Sequence, residues 1–219
     1  MHLGLIGGIG PAATEYYYRN LLKNGTDVAL TITHARISAL LENQATGAHA
    51  AQAAIFAAHV AKLKAAGAEV AAVTSVAGHF CHRELAAISP LPLVSILDVL
   101  EKHFAAHGID RIGLIGSTVA MESKLFGAIS TAEIIVPDAA TLQPLGQAYG
   151  AMAHRGSVTA EEAEICRAGA RSLIEDKGVD AVLLGGTDLY LVFGGTDPGF
   201  PVIDAADLHI AELDRIMRG

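Results

Sequence analysis

The sequence predicts an α/β protein of two pseudo-symmetric parallel-sheet domains, related by internal duplication, with an active-site cleft between them. Three observations carry that expectation. Short apolar runs alternate with alanine-rich stretches of helical spacing, as strands buried on both faces alternate with their crossover helices. Three segments of the first half recur, in order and at nearly one offset, in the second. The apolar runs end in glycine or hydroxyl residues, a composition suited to a ligand at the carboxyl ends of parallel strands.

Taken in order, the first run, Leu3 to Ile6, enters the glycine turn Gly7-Gly8-Ile9-Gly10-Pro11 and precedes a helix-like segment from Ala12 to Leu22. A short strand then leads into Thr33-His34-Ala35-Arg36. The stretch Ala48 to Ala66 has helical spacing and stops at Gly67, as helices stop at a C′ glycine. Val70 to Val73 reads as the next strand and ends in Thr74-Ser75-Val76-Ala77-Gly78-His79. In the second half, Ile112 to Ile115 leads to Gly116-Ser117-Thr118. Thr159, with Glu162 three residues on, forms a capping box for a helix from Ala160 to Lys177 that stops at Gly178. Ala181 to Leu184 is a further strand, closed by Gly185-Gly186-Thr187-Asp188.

The repeats tie these elements together. Leu3-Gly4-Leu5-Ile6-Gly7 recurs 109 residues on as Ile112-Gly113-Leu114-Ile115-Gly116. Gly67 to Ser75 recurs as Gly178 to Gly186, offset by 111, and Pro92 to Asp98 recurs as Pro201 to Asp207, offset by 109. The expected division is residues 1–95 with 205–219 as one half and 96–204 as the other. Gly7, Ser75, Gly116 and Gly186 then occupy matching strand ends, so a substrate in the cleft meets two equivalent walls.

Composition excludes several classes of function. Of 219 residues, 52% are hydrophobic and 17% charged, enough for a substantial core. No uninterrupted apolar stretch approaches the ~18 residues of a membrane span. Met1 to Gly8 lacks the basic region of a signal peptide, so a cytoplasmic location is expected. The net charge of −8 without a Lys/Arg cluster argues against nucleic acid, and the 5% aromatic content argues against base-stacking platforms. Cys81 and Cys166 cannot build a disulfide framework or a zinc site of usual spacing. Ten histidines show no ligand spacing such as H-E-x-x-H, so no metal is expected; His49 and His59 read as solvated positions on the long helix.

Each strand end has a chemical and a plain reading. The turn containing Gly8 and Gly10 is a tight turn, a dinucleotide loop or a cradle for a carboxylate at a helix N-terminus. It departs from G-x-G-x-x-G at Ala13, and Asp27 precedes the second strand where the fingerprint wants an acid after it. Thr74, Ser75 and His79 offer hydroxyls and an imidazole for acid/base work, or a helix cap and a packed histidine. Thr187 and Asp188 offer a hydroxyl and a carboxylate behind two glycines that let a ligand approach, or Asp188 is a cap. Ser117 and Thr118 are anion ligands or caps, and Arg36 pairs with a substrate carboxylate or a surface acid.

Gly4-Leu5-Ile6-Gly7-Gly8-Ile9-Gly10-Pro11-Ala12-Ala13-Thr14, the repeat from Ile112 to Phe126, Ile135-Val136-Pro137, and Leu183 to Asp188 followed by Pro201-Val202-Ile203-Asp204 together resemble the aspartate/glutamate/hydantoin racemase superfamily, in particular its aspartate racemase branch. The resemblance runs over essentially the whole chain. It implies two pseudo-symmetric α/β domains, a homodimer, and a site without cofactor in which two cysteines on opposite faces of the substrate exchange its α-proton. It also implies that Thr187 binds a substrate carboxylate, that the Ser117-Thr118 loop binds the other end, and that a family lysine corresponds to about His154, beside Arg155.

The sequence departs from that pattern where the chemistry sits. The family's Cys-Asn-Thr-x-His falls on Ser75-Val76-Ala77-Gly78-His79, and its Gly-Cys-Thr-Glu on Gly185-Gly186-Thr187-Asp188. The repeat independently pairs Ser75 with Gly186. A thiol titrates near 8.5 and is readily tuned toward neutrality, whereas a serine hydroxyl needs a separate base and glycine has no side chain. Cys81, two residues past His79, and Cys166, in mid-helix, stand elsewhere.

The expected function is therefore that of a cofactor-independent racemase-like isomerase acting on a small carboxylate such as aspartate or glutamate. His79 or Asp188, assisted by Ser75, replaces the thiol pair across from the Gly186 position. Gly8, Gly10, Arg36, Thr74, Ser117, Thr118 and Thr187 are the expected binding residues. Two other readings stand beside it: a carboxylate-binding homologue without turnover, and a lyase or isomerase of another substrate class.

Overall fold

In the computed structural model, which describes all of residues 1–219, eight strands form two four-stranded, all-parallel sheets. The first contains β1 (Leu3–Gly7), β2 (Leu30–His34), β3 (Val70–Val73) and β4 (Leu93–Val94) in the order β2-β1-β3-β4. The second contains β5 (Arg111–Gly116), β6 (Glu133–Ile135), β7 (Ala181–Gly185) and β8 (Val202–Asp204) in the order β6-β5-β7-β8. The same path is followed twice, as the sequence repeats require. In register, Ile6 lies beside Val73 in one sheet and Ile115 beside Leu184 in the other.

The central strands β1, β3 and β7 are buried along their whole length, and β5 from Ile112 onward, because helices cover both faces of each sheet. Side chains alternate across the first sheet with period two. Leu3, Leu5, Val70 and Ala72 pack beneath α1 (Pro11–Leu21) and α10 (Ala205–Arg218). Ile6, Ala71 and Val73 point the other way, onto Phe56, Val60 and Leu63 of α3 (His49–Ala65). Gly4 is required on that second face, since a Cβ there would lie 2.9 Å from the Leu63 side chain.

The last helix of each repeat crosses over. α5 (Ile96–His107) follows β4, yet its Ile96, Leu100 and Phe104 enter the core of the second sheet. α10 follows β8, yet its Ala206, Ile210 and Leu213 enter the core of the first. Ser95 caps α5 by accepting from Leu97 N–H, and Asp204 caps α10 by accepting from Ala206 and Asp207 N–H. These residues occupy matching places in the Pro92 and Pro201 repeats. The N-terminal ammonium donates to the Met217 carbonyl at 3.0 Å, so the two chain ends meet.

α7 (Ala139–Arg155) and α8 (Ala160–Lys177) flank the second sheet. The capping box is formed: Thr159 Oγ1 accepts from Glu162 N–H at 3.2 Å, and Glu162 Oε2 accepts from Thr159 N–H at 2.8 Å. Gly178 ends α8 at φ 61°. α2 (Ile37–Ala45), α4 (His82–Ile88), α6 (Thr118–Glu122) and α9 (Tyr190–Phe193) complete the structure. No helix is long and apolar enough to cross a membrane.

A buried polar chain locks α10 onto the first sheet. Tyr17 Oη of α1 bonds His209 Nδ1 at 2.8 Å, and His209 Nε2 bonds the Val94 carbonyl at 3.1 Å. A carbonyl only accepts, so Nε2 carries the proton and Tyr17 donates to Nδ1. Tyr17→Phe leaves that nitrogen buried and unpaired. We expect a loss of about 1–3 kcal/mol in urea unfolding with no change of fold.

Candidate active site

A cavity of about 410 Å³ opens where the carboxyl ends of the central strands of both sheets converge. In each sheet this is the point between β1 and β3, or β5 and β7, where the strand order reverses, the place open α/β sheets bind ligands. Ile9 and Gly10 reach it from the turn after β1, Ser75 and Ala77 from the end of β3, and Ser117, Thr118 and Val119 from the start of α6. Asp188 follows β7, α2 contributes Ile37, Leu40, Leu41 and Gln44, and Gly146, Tyr149, Gly150, Ala153 and His154 lie along α7.

Asp188 is the only carboxylate of the lining, and it is buried. Its Oδ1 accepts from the N–H of Ala13 at 3.0 Å, and its Oδ2 accepts from Tyr149 Oη at 3.3 Å. Ala13 is the third residue of α1, so Asp188 of the second half satisfies a free donor at the start of a first-half helix. Gly10, at φ 91°, lies against the carboxylate; a Cβ there would stand 2.8 Å from Oδ2. At this turn the start of α1 bonds a carboxylate that is the protein's own. Burial pushes the Asp188 carboxyl up to about 6, against the lowering effect of its two hydrogen bonds.

Beside it, Tyr149 fills the space in front of Gly186. A Cβ on Gly186 would stand 2.6 Å from Tyr149 Cζ and 2.9 Å from its Oη. Burial, and then the neighbouring Asp188, raise the phenol well above its ordinary value. At the end of β3, Ser75 Oγ accepts from Gly78 N–H at 3.3 Å and faces the cavity without a base as partner. Ser117 caps α6 by accepting from Ala120 N–H at 3.3 Å, and Thr118 packs its hydroxyl against Gly146 of α7.

His79 is a correction to the sequence expectation. It does not line this cavity, and both ring nitrogens are engaged with backbone: Nδ1 with the Ser75 carbonyl at 2.7 Å and Nε2 with Ile96 N–H at 3.2 Å. Its tautomer is therefore fixed, with Nδ1 donating and Nε2 accepting. Burial, with the nearby His82 and His209, lowers its proton affinity to about 3. It joins the end of β3 to the start of α5 and carries no free site for a proton.

Several binding expectations are corrected in the same way. Arg36 stands exposed at the start of α2, outside the lining. Thr74 is buried and donates to the Ile6 carbonyl at 3.2 Å, tying β3 to β1. Gly8 lies behind Gly10 and donates its N–H to Thr14 Oγ1 at 3.0 Å. Thr187 is buried outside the lining, its hydroxyl without a hydrogen-bond partner. Cys81 and Cys166 are buried away from the cavity, and burial raises them to about 12 and about 11. Ser75, Gly10, Ser117, Thr118 and Asp188 are brought together. Sequence reasoning missed Tyr149 and Gln44; the only signal for Tyr149 was the side-chain-free Gly186 that it covers.

Residues 6–213 match the model of the Asp/Glu/hydantoin racemase family, and the chain belongs to that family. Among solved structures it is similar to a candidate Asp/Glu racemase from Yersinia pestis, at 25% identity and TM-score 0.82 with both chains covered in full. It is also similar to an aspartate racemase homologue from Pyrococcus horikoshii, at 22% identity and TM-score 0.79, covering 100% of this chain and 99% of that one. Glutamate racemase from Francisella tularensis, solved in complex with D-glutamate, shares the fold at 14% identity and TM-score 0.71, with 99% and 81% of the chains covered. No curated protein matches the chain.

Two measurements test this geometry. Gly186→Cys alone should cost about 1–3 kcal/mol through overpacking against Tyr149, and much of that cost should vanish in a Tyr149→Ala background, a coupling a double-mutant cycle reads directly. Asp188→Asn probes the buried charge. A folded-state value of about 6, above the unfolded value near 3.9, means that the contribution of Asp188 to stability falls as pH rises from about 4 to about 6. Relative to wild type, Asp188→Asn should therefore gain roughly 2 kcal/mol between pH 4 and pH 7 in urea unfolding.

Proposed function

We propose that this protein is a cofactor-independent isomerase of racemase type that removes and returns the α-proton of a small carboxylate without using thiols. The observation that carries the reading is Asp188, a buried carboxylate in the cavity between the two sheet rims, whose proton affinity lies near neutrality. A group titrating near the working pH is effective as a base in one direction and as an acid in the other. Ser75, whose Oγ already accepts from Gly78 N–H, keeps its own proton for a hydrogen bond to the substrate or its planar intermediate.

The walls also bear on the substrate. No lysine or arginine lines the cavity, so the substrate carboxylate is held by neutral donors such as Ser117 and Thr118, with His154 at the exposed edge. The α2 wall is largely hydrocarbon, from Ile37, Leu40 and Leu41, with the neutral amide of Gln44 at its end. The second carboxylate of aspartate or glutamate would meet that wall with no cation to pair it and with Asp188 close by, which is costly. An uncharged side chain fits better.

Incubation of each enantiomer of leucine, aspartate and glutamate in D2O, followed by NMR and chiral chromatography, tests both points. Deuterium should enter the α-position, at least tenfold faster for leucine than for either dicarboxylic acid, and Asp188→Asn should lose at least 100-fold of that rate. A carboxylate-binding protein without turnover is the second reading, favoured by the lack of any base beside Ser75. Thermal stabilisation by a carboxylate with no deuterium uptake would identify it.

A further inference from the structure

Resting on the reading that Asp188 handles the α-proton, the geometry points to Tyr149 as the catalytic residue that meets the substrate carbon and passes its proton to Asp188. Asp188 is nearly inaccessible: it is 1% exposed, one oxygen is taken by Ala13 N–H, and Gly10 packs against the carboxylate. Tyr149 is 7% exposed, lines the same cavity, and directs its hydroxyl at the other oxygen of Asp188, 3.3 Å away. The phenol occupies the volume that a side chain at Gly186 would take, at the end of β7 opposite the Ser75 rim. Of the titratable groups in the lining, His154 stands exposed at the edge, so Tyr149 and Asp188 are the only buried pair.

The step balances without any co-reactant. The substrate Cα–H bond breaks, and its proton goes to Tyr149 Oη while the Tyr149 O–H proton moves to Asp188 Oδ2. The electron pair of the C–H bond stays on the substrate as an enolate. The reverse transfer, from the Asp188 carboxylic acid through Tyr149, reprotonates the carbon; on the face first deprotonated it returns the starting enantiomer with exchanged hydrogen, and it inverts the centre when the planar enolate has turned its other face to Tyr149. A phenol alone is too weak a base near neutrality, and the carboxylate behind it supplies the acceptor. Ser75 has no such acceptor, so proton traffic runs through the Tyr149 side.

Tyr149→Phe keeps the ring over Gly186 and removes only the hydroxyl. In the D2O assay we expect kcat for α-deuterium incorporation to fall at least 100-fold with KM changed less than threefold, and Asp188→Asn to fall by a similar factor. In the same variant the carboxyl carbon of Asp188, followed by NMR, should titrate at higher pH than in wild type, because the donated hydrogen bond that lowers it is gone. Its remaining neighbours, Ala13 N–H and the Tyr190 ring, are unchanged. Exchange in Tyr149→Phe within threefold of an active wild type, or an unmoved Asp188 titration, overturns the role of Tyr149 and leaves the proton-transfer reading standing. A wild type that exchanges no α-proton overturns both.

Discussion

The Asp188 carboxylate leaves the rim of the second sheet and ends on Ala13 N–H, at the start of a helix that belongs to the first. One charge thus fixes the distance between the two rims and lies within the cavity they form. Two further contacts follow the same seam. Tyr190 Oη donates to the Ala12 carbonyl at 3.2 Å, and its ring stacks on Tyr16 with centroids 4.0 Å apart. A helix start attracts an anion and burial disfavours one. Burial wins in part, since the carboxyl rises to about 6 rather than falling below the ordinary range.

The glycines around this charge follow from it. Gly10 has to lack a side chain because the carboxylate lies where a Cβ would press, and its φ of 91° turns the chain into α1. Gly186 has an ordinary extended φ of −137°, so its requirement is purely one of space: Tyr149 stands over it. Gly146 yields to Thr118 in the same manner, which draws α7 close to the α6 start. The cavity is therefore shaped by missing side chains as much as by those present.

Much of the fold was legible because strand and helix periods are local. The fully buried runs Val70 to Val73 and Ala181 to Leu184, the capping box at Thr159 and Glu162, and the repeats at Leu3 and Ile112 all reappear in the structure. The site was legible only where it sits at strand ends, as with Ser75, Ser117 and Asp188. His79 looked like acid/base machinery because a sequence cannot reveal that both its nitrogens are spent on backbone groups, one of them at Ile96. Tyr149 was invisible for the opposite reason: it sits on the buried face of an amphipathic helix, and only the packing of α7 against β5 and the Thr187–Leu189 turn brings its hydroxyl to Asp188. Arg36 illustrates a third limit, since position after a strand does not decide which way a long side chain turns.

The exchange of α5 and α10 between the sheets has a consequence for how the chain is made. Synthesis from the N-terminus delivers β1 to β4 first, but the face formed by Leu3, Leu5, Val70 and Ala72 is covered by α1 and by α10, a 14-residue helix that follows β8. Until that helix is made, α1 alone covers that face, while α5 is already available to the second sheet. The sheet made first is thus the one finished last.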